Sequence, residues 1–436
     1  MPRSYKTLFD RVKAVPQLRR AWRLVYKNAM GRDTSETTKA DAEEFALNAE
    51  PSLDRISRAL RKGKFKFASQ RGVPIEKSSG KYRGLVVAPV ASRIVQRSIL
   101  DVFQSLPAVR TRLDAGLNFG GVPRGNTDDA VAVPGAIKRA HELSCRYSHF
   151  ARTDIVSFFD NVPRDRAVDT VLVYSDGSSF DELLRDATIT ELDNLESLDR
   201  HLHIFPLEGI GLAQGSCLSP MLCNLYLDEF DKQMNDRGVE CVRYIDDFVI
   251  FTSGQRRLGK ALEGARRYLA TLGLDAYDPR QNPKKAEQGL TSTGFEFLGC
   301  EVAPGRVAPS SDNQRKLLEK VRIACDAGLR GISDPLSAIR GRHTLPHTLI
   351  RIGDIIRGWG NTFSFCTDDG VMHGLDQRID HQLEEFLASY RPLIKRASSD
   401  TKRRLLGVWR LKDCNLDVGF VLGSESTKGK RKGRVL

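Results

Sequence analysis

The sequence predicts an α+β fold in which helix-rich stretches flank a strand-bearing middle. Residues 1–60 and about 310–400 place apolar side chains at three- and four-residue steps, as amphipathic helices do. Residues 63–90 alternate in polarity and carry glycines, which is typical of a β-hairpin. Residues 242–251, VRYIDDFVIF, set two aspartates between two apolar runs that indicate buried strands.

The composition favours a protein with a polyanionic partner. The 436 residues suffice for about two to four structural units with hydrophobic cores. Lys and Arg number 68 against 55 Asp and Glu, a formal net charge of +13. Nucleic acid is therefore the first expectation, and a merely soluble basic surface is the alternative.

The cysteines and the apolar runs bear on location. None of the eight cysteines has CxxC or zinc-like spacing, so reduced thiols are expected. No apolar run approaches the roughly 18 residues of a membrane span, and the N-terminus lacks the apolar segment of a signal peptide. We expect no membrane association and a bacterial cytoplasmic location.

The first third of the chain is predicted to contain helices around one hairpin. Within residues 1–60, Pro16 is expected to separate two helices. The hairpin at 63–90 has the basic loop KSSGKYR, and 91–104 return to helical periodicity. The segment NFGGVPRGNTDDA (118–130) is a Gly-rich loop that leads into a helix. It fits neither the P-loop nor the dinucleotide fingerprint.

The remaining elements follow in order. HFARTDIVSFFDNV (149–162) predicts a strand that runs into a turn, and the acidic stretch 181–200 predicts a surface helix. Residues 209–234 begin as a Gly-rich loop and become a helix. After VRYIDDFVIF come a helix at 256–272, a loop and a strand FEFLGCEV. The basic tail STKGKRKGRVL has no apolar periodicity and is predicted to be disordered.

The adjacent aspartates Asp246 and Asp247 admit two interpretations. Asp is a common turn residue, so a plain hairpin turn explains them. However, Asp154 also ends an apolar strand, and buried carboxylates are costly unless a partner neutralises them. Side by side, the two strands would bring Asp154 beside Asp246, and such carboxylates suit Mg²⁺. Two such ions about 4 Å apart can activate a 3′-hydroxyl and stabilise departing pyrophosphate.

Seven segments in order make the chain resemble a bacterial reverse transcriptase, akin to group II intron, retron and phage-defence enzymes. They are KYRGLVVAP with RIVQRSIL, GGVPRGNTDDA, TDIVSFFDNV, GLAQGSCLSPMLCNLYL, YIDD, NPKKA and FEFLG. The resemblance covers roughly residues 60–370 and favours the metal site over the plain turn. It implies a right-hand polymerase fold with fingers, a palm with an antiparallel sheet, a helical thumb and a basic C-terminal tail.

The resemblance also implies domain boundaries. They are 1–60 for a helical N-terminal extension, 61–150 for the fingers, 151–305 for the palm (with 161–208 partly fingers or insertion), 306–400 for the thumb and 401–436 for a C-terminal extension with the basic tail.

Four side chains and one carbonyl are implied at the reacting centre. Asp154, Asp246 and Asp247 resemble the catalytic, metal-binding carboxylates, and the Ile155 carbonyl is a further expected ligand. The implied cofactors are two Mg²⁺ ions, for which Mn²⁺ can substitute. Lys285 resembles a lysine that protonates the leaving pyrophosphate, and it is favoured over its neighbour in NPKKA by alignment alone.

Five further residues resemble those that bind the incoming nucleotide. Lys77 and Arg83 resemble fingers residues that hold the triphosphate, although both also suit an exposed hairpin. Phe159 stands where the family keeps an aromatic gate against the ribose 2′-hydroxyl, which implies dNTP over rNTP; the alternative is a core phenylalanine. Gln214 and Gly215 match residues that line the nucleotide, and glycine permits close backbone approach.

The implied function is RNA-directed DNA synthesis from dNTPs, with an RNA template and a DNA product. No ribonuclease H or endonuclease pattern follows FEFLG, and Ile245 stands where alanine is usual. These departures resemble the unassigned bacterial enzymes, so a dedicated non-coding RNA in antiphage defence is the expected template. Two alternatives are a maturase-like RNA-binding protein of a group II intron and a protein-primed or untemplated DNA polymerase. The sequence does not indicate an oligomeric state.

Overall fold

The computed structural model describes residues 6–31, 34–76, 80–122, 132–236, 238–332 and 334–408. It divides into two compact units, Met1–Val307 and Ala308–Leu436. The first unit combines helices with antiparallel sheets, and the described part of the second is mainly helical. The predicted α+β class is confirmed.

The first unit opens with four helices that pack around buried aliphatic and aromatic side chains. They are α1 (Leu8–Val12), α2 (Val15–Ala29), α3 (Glu36–Leu47) and α4 (Ala49–Arg61). Thr7 caps α1 with a reciprocal capping box. Pro16 lies in the first turn of α2, where its missing N–H costs nothing, and it follows the end of α1 as predicted. Leu18, Trp22 and Val25 form the buried face of α2.

A two-stranded hairpin and three helices follow. They are β1 (Arg71–Glu76), β2 (Tyr82–Val87), α5 (Val90–Gln104), α6 (Pro107–Leu113) and α7 (Ala132–Arg146). β1 and β2 pair antiparallel, from Arg71 opposite Val87 to Glu76 opposite Tyr82. The hairpin and the helix that were predicted within 63–104 are therefore found.

The central sheet has four strands in the order β4-β5-β3-β6. Its strands are β3 (His149–Asp154), β4 (Glu240–Tyr244), β5 (Asp247–Thr252) and β6 (Glu287–Leu290). β3 pairs antiparallel with both β5 and β6. Phe150, Phe248 and Ile250 are fully buried, as the apolar runs predicted.

Seven helices connect these strands. They are α8 (Phe158–Asn161), α9 (Arg164–Leu172), α10 (Phe180–Thr188), α11 (Leu195–Leu198), α12 (Ser219–Tyr226), α13 (Asp228–Gln233) and α14 (Gln255–Thr271). The acidic stretch 181–200 is not one helix, because the chain leaves α10 at Ile189, forms only one turn as α11, and continues as a 3₁₀ segment over 199–204. α12 and α13 likewise divide the single helix predicted before the double aspartate.

A three-stranded meander of β7 (Phe295–Phe297), β8 (Cys300–Ala303) and β9 (Arg306–Pro309) follows the central sheet. The expected single strand FEFLGCEV is wrong, because Leu298 and Gly299 both have positive φ and turn the chain back on itself. The two-residue turn makes FEF and CEV neighbouring antiparallel strands.

In its described residues, the second unit contains a bundle of five helices with its own core. They are α15 (Ser311–Arg330), α16 (Pro335–Arg340), α17 (Leu345–Thr362), α18 (Asp369–Arg396) and α19 (Ser399–Leu405). Val321, Ile352 and Phe386 belong to this core. A Cβ at Gly328 would lie 2.7 Å from Thr348 Oγ1, so glycine permits the close approach of α15 and α17.

Three predictions fall on residues outside the described ranges: Lys77, most of the Gly-rich segment after Val122, and the basic tail. Within the described ranges, no helix is both long and apolar enough to cross a membrane.

Candidate active site

The double aspartate lies at the tip of a hairpin in the central sheet. Tyr244 of β4 pairs with Asp247 of β5, which leaves Ile245 and Asp246 as the two-residue turn. Ile245 has a φ of 61°, a left-handed conformation that is unusual for a β-branched residue. The two interpretations of the double aspartate, a hairpin turn and a metal site, are therefore compatible, because the turn itself presents Asp246.

Strand pairing brings the distant Asp154 to the same place. Asp154, the last residue of β3, stands directly opposite Asp247 in the β3–β5 register. The next amide, that of Ile155, donates a 2.9 Å hydrogen bond to the Asp246 carbonyl. The Tyr277 amide donates to the Asp154 carbonyl at 3.2 Å. The strand end and the turn are therefore held together by backbone bonds on both sides.

Burial and repulsion from the neighbouring Asp154 disfavour ionisation of the Asp246 carboxyl. Burial raises the pKa of Asp246 to about 6, and the neighbouring Asp154 carboxyl, within hydrogen-bonding reach, adds to the rise. Two ionised carboxylates so close together repel each other, and this repulsion costs free energy unless a cation neutralises it. The pair is thus arranged to gain free energy when a cation binds.

Asp247 is the most strongly shielded of the three aspartates. Its Oδ1 atom is closed off from solvent and has no hydrogen-bond partner among the described residues. Burial raises the pKa of its carboxyl to about 7, although the Arg152 guanidinium opposes the rise. An orphaned acceptor beside two other carboxylates is an energetic defect that a cation or ordered water would relieve.

A cleft of about 680 Å³ opens over Asp154 and Asp246. The sequence-predicted residues that line it are Arg83, Asp154, Ile155, Phe159, Gln214, Gly215, Asp246 and Lys285. The Lys285 ammonium lies 3.6 Å from Asp154 Oδ2. Asp247 does not line the cleft and lies behind it in the sheet.

The opposite wall of the cleft is cationic and comes from the β1–β2 hairpin. Lys81 and Arg83 line the cleft and are both exposed, two residues apart. The loop before α12 is bonded to the same hairpin, since the Val86 amide donates to the Gln214 carbonyl at 2.7 Å. Gly215 has a φ of 115°, and a Cβ there would lie 2.5 Å from the Val86 carbonyl oxygen. Only glycine suits this contact.

The third wall is the turn that follows Ile155. Ser157 has a φ of 43°, so the chain turns sharply into α8. Phe158 is buried in the core, whereas Phe159 is only half-buried and faces the cleft. Asp160 Oδ1 accepts a 2.9 Å hydrogen bond from Gln214 Nε2. Because the amide nitrogen of Gln214 is engaged in this bond, its amide oxygen is the atom that is free to contact a ligand.

The donor set fits a hard divalent cation bound in part by its substrate. Among the described residues no group of three or more His, Cys, Asp or Glu side chains is arranged to hold a metal ion. Mg²⁺ needs only one or two carboxylates when waters and substrate phosphates complete the shell. Asp154 and Asp246, with Ile155 lining the same cleft, meet that requirement.

The cleft also contains residues that the motifs did not single out. Lys81, Asp160 and Tyr277 line it as well. Two of them had a sequence signal, because Lys81 stands two residues before Arg83 and Asp160 directly follows Phe159. Tyr277 had none, because it reaches the site through pairing of the loop after α14 with the end of β3.

Comparison with known proteins identifies the family. A family model described as reverse transcriptase (RNA-dependent DNA polymerase) matches residues 75–302, more than half of the chain. The chain therefore belongs to the reverse transcriptase family. This membership and the α+β architecture confirm the predicted right-hand polymerase class. Members of the family use divalent metal ions, an RNA template and a DNA product.

Individual relatives are distant. The chain is 25% identical over 190 residues to a COX1/OXI3 intron 2 protein of Saccharomyces cerevisiae, which covers 42% of this chain and 20% of that protein. It is 24% identical over 274 residues to protein YkfC of Escherichia coli, covering 55% and 68%. A solved partial Cas6-RT-Cas1–Cas2 complex aligns with 61% of this chain and 41% of its own, at 22% identity and a TM-score of 0.33. The chain thus spans about a fifth of the yeast relative.

Proposed function

We propose that this chain is an RNA-directed DNA polymerase that adds dNTPs to a primer 3′-hydroxyl on an RNA template. The observation that carries the proposal is the β3–β5 register, which brings Asp154 beside the Asp246 turn in one cleft. Family membership supplies the reaction class. The cleft supplies an acidic wall for cations and a basic wall for phosphates.

The acidic wall would hold two Mg²⁺ ions, or Mn²⁺ in their place, through Asp154, Asp246 and the Ile155 carbonyl, with Asp247 behind them. When bound, such ions supply Lewis-acid stabilisation of the attacking and departing oxygens. Arg83 and Lys81 would bind the triphosphate with charge-assisted hydrogen bonds. Lys77, as its position in the sequence predicts, would act with them.

Lys285 is suited to the departing pyrophosphate. Its ammonium lies beside Asp154 and lines the cleft, so it can donate a proton to an oxygen that leaves there. In the resting protein the nearby carboxylate holds the ammonium in place. The structure thus supports the proposed role of Lys285, since its neighbour Lys284 does not line the cleft.

The third wall would select the sugar and position the nucleotide. Phe159 lines the cleft, where a ribose 2′-hydroxyl would meet its ring. Gly215 lets the backbone approach the nucleotide closely, and Gln214 offers its amide oxygen because its nitrogen donates to Asp160. This arrangement of Phe159, Gln214 and Gly215 in the cleft supports the proposal that the enzyme selects dNTPs.

A basic segment, defined as residues 58–66, offers a surface for the RNA. Its exposed cations are Arg58, Arg61, Lys62, Lys64 and Lys66, and none makes an ion pair within the described part of the chain. Phe65 and Phe67 pack edge to face with ring centroids 5.2 Å apart, which leaves the intervening lysine outside. Unpaired surface cations favour phosphate contacts that depend on salt but not on sequence.

Replacement of one cleft carboxylate tests the catalytic proposal. In primer extension on an RNA template with Mg²⁺, Asp246→Asn is expected to lower kcat by about 10³-fold or more, because the metal loses a charged ligand. RNA affinity, measured by filter binding, should stay within about threefold. The matched control is Asp169→Asn, which removes a surface carboxylate paired with Arg185. Unchanged extension by the Asp246 variant would refute the proposal.

A maturase-like RNA-binding protein is the second candidate. The observation that favours it is that a relative is named for an intron. We propose the polymerase first, with a dedicated non-coding RNA template in antiphage defence and a cytoplasmic location, as the sequence resemblance implies. Sequencing the RNA and DNA that co-purify from the native host separates the two. Intron RNA without cDNA supports the maturase, and cDNA that requires Asp246 supports the polymerase.

The fingers, palm and thumb boundaries stay part of this proposal. Every described residue of the cleft lies in the first compact unit, which holds the proposed fingers and palm. The helical bundle of the second unit supports its assignment as a thumb.

A further inference from the structure

A fully buried arginine lies two residues before Ile245, the first residue of the turn that presents Asp246. Arg243 of β4 is 0% exposed. Its Nε and Nη2 atoms donate to the two carboxylate oxygens of Asp231 in α13, at 2.6 and 2.5 Å. Its Nη1 atom donates to Asn224 Oδ1 in α12 at 3.2 Å and to the Ile245 carbonyl at 2.9 Å. One guanidinium thus joins two helices to the turn.

Stability alone does not explain this arrangement. Taking both charges out of water costs several kcal/mol, and a well-packed apolar pair of similar volume is often as stable or more so. What an apolar pair cannot supply is the directed hydrogen bond to the Ile245 carbonyl. That carbonyl belongs to the peptide that joins Ile245 to Asp246, so the bond fixes the backbone from which the Asp246 carboxylate extends.

The turn needs such a restraint because its backbone is strained. A left-handed conformation costs a β-branched residue about 1–3 kcal/mol and persists only where the surroundings impose it. Gly120 packs directly on this residue, and a Cβ there would lie 2.6 Å from Ile245 Cγ1. The Gly120 carbonyl accepts a 2.7 Å hydrogen bond from Asn224 Nδ2, so the network holds the packing partner as well.

We propose that Arg243, held by Asp231 and Asn224, is a positioning residue for Asp246 in nucleotide transfer. This inference rests on the proposed function. The guanidinium restrains the Ile245–Asp246 peptide, and the Asp246 carbonyl in turn accepts from the Ile155 amide. The network thereby sets the separation of the Asp154 and Asp246 carboxylates that a divalent ion would bridge.

The test replaces both charges together, because removing one would leave the other buried and unpaired. In Asp231→Leu/Arg243→Met the core stays apolar and filled, so the melting temperature and RNA affinity should stay near those of the wild type. We expect kcat for single-nucleotide addition to fall about 10- to 100-fold, with dNTP KM changed less than about threefold, since a displaced reacting group costs rate. Hydrogen exchange should quicken in the peptides that contain Ile155 and residues 244–248.

A second variant and a control keep the test decisive. Asn224→Leu retains the ion pair and removes one support, so a smaller fall in kcat with the same exchange signature is expected even if the double variant does not fold. Glu240→Gln breaks ion pairs with Arg139 and Arg146 at the far end of β4 and should change neither quantity.

The outcomes also separate this inference from the proposed function. Faster exchange with unchanged kcat would overturn the positioning role. Unchanged exchange at the turn in both variants would overturn the restraint itself, whatever the activity. A wild-type protein that adds no nucleotide would instead refute the polymerase proposal, and the exchange measurement would still report on the turn.

Discussion

At the scale of single residues, the two adjacent phenylalanines after the Asp154 strand have different environments. Phe158 is 2% exposed within the core of the first unit, whereas Phe159 is half-buried at the cleft. The Phe159 carbonyl accepts a 2.7 Å hydrogen bond from the Leu212 amide, two residues before Gln214. The Phe159 backbone is therefore bonded to the loop that contains Gln214. This division favours Phe159, rather than its neighbour, as the sugar gate.

Truncation of the Phe159 ring should relax sugar selection. Phe159→Ala removes the group that a 2′-hydroxyl would meet, so the ratio of kcat/KM for dNTP over rNTP should fall at least about 10-fold, or about 1.4 kcal/mol of discrimination. The gain should appear mainly in rNTP incorporation, measured by single-nucleotide extension with matched dNTP and rNTP pairs.

Phe159→Tyr is the matched control for the gate. It keeps the ring and should keep the preference for dNTPs. Equal sugar selectivity in the alanine variant and the wild type would show that Phe159 is only a packing residue.

The residues that the sequence identified are those with local signatures. Asp154, Asp246 and Gly215 each stand in a short motif whose chemistry can be interpreted from the sequence alone. Arg243 also stands beside such a motif, yet its role was invisible because Asp231 and Asn224 lie on helices that only the tertiary fold brings to it. Long-range polar networks leave no periodic trace in a sequence.

At the scale of elements, periodicity predicted well where one local pattern extended over a whole element. The helix expected at 256–272 is α14, Gln255–Thr271, and the apolar runs around the double aspartate are β4 and β5. Prediction failed where a turn interrupts an apolar run. Leu298 adopts a left-handed φ without being glycine, so FEFLGCEV looked continuous. The complete strand order was not predicted, since only the tertiary fold shows that β6 pairs with the far side of β3.

The basic segment at 58–66 should contribute RNA affinity that depends on salt. Lys62→Ala/Lys64→Ala/Lys66→Ala removes three unpaired cations, so RNA affinity should fall about 10-fold at moderate salt. The slope of log K against log salt should become shallower by about 2, because each single-strand phosphate that a lysine neutralises contributes about 0.7 to the slope. Fluorescence anisotropy over a salt series measures both quantities.

A control of equal charge separates specific contacts from net charge. Arg315→Ala/Lys316→Ala/Arg322→Ala removes three cations of α15 that already have carboxylate partners. Its salt slope should change much less. Equal effects of the two triple variants would mean that net charge alone, and not the basic segment, governs RNA binding.

At the scale of the whole molecule, the first compact unit contains the cleft, and its folding free energy must offset the repulsion between the carboxylates there. The core of the first unit runs from the N-terminal helices to the strand pair at the site, and the second unit has a separate core. The free energy with which the first unit folds must therefore offset the repulsion among Asp154, Asp246 and Asp247. This cost is a property of the folded chain, because the carboxylates are far apart when it unfolds.

That cost predicts how unfolding depends on pH and on metal. The pKa of Asp246 is raised to about 6 and that of Asp247 to about 7, so the folded protein binds more protons than the unfolded one between about pH 4 and 7. In EDTA the free energy of unfolding of the first unit should therefore decrease by several kcal/mol as pH rises through this window, because each unit of pKa shift corresponds to about 1.4 kcal/mol. Mg²⁺ or Mn²⁺ should raise the melting temperature more at pH 8 than at pH 5, because it binds the ionised carboxylates. Asp247→Asn carries no charge at any pH, so it should flatten the pH dependence in EDTA and weaken the metal response in differential scanning calorimetry. A metal response that is the same at both pH values, or one that survives in the Asp246→Asn and Asp247→Asn variants, would place the bound cation elsewhere in the protein.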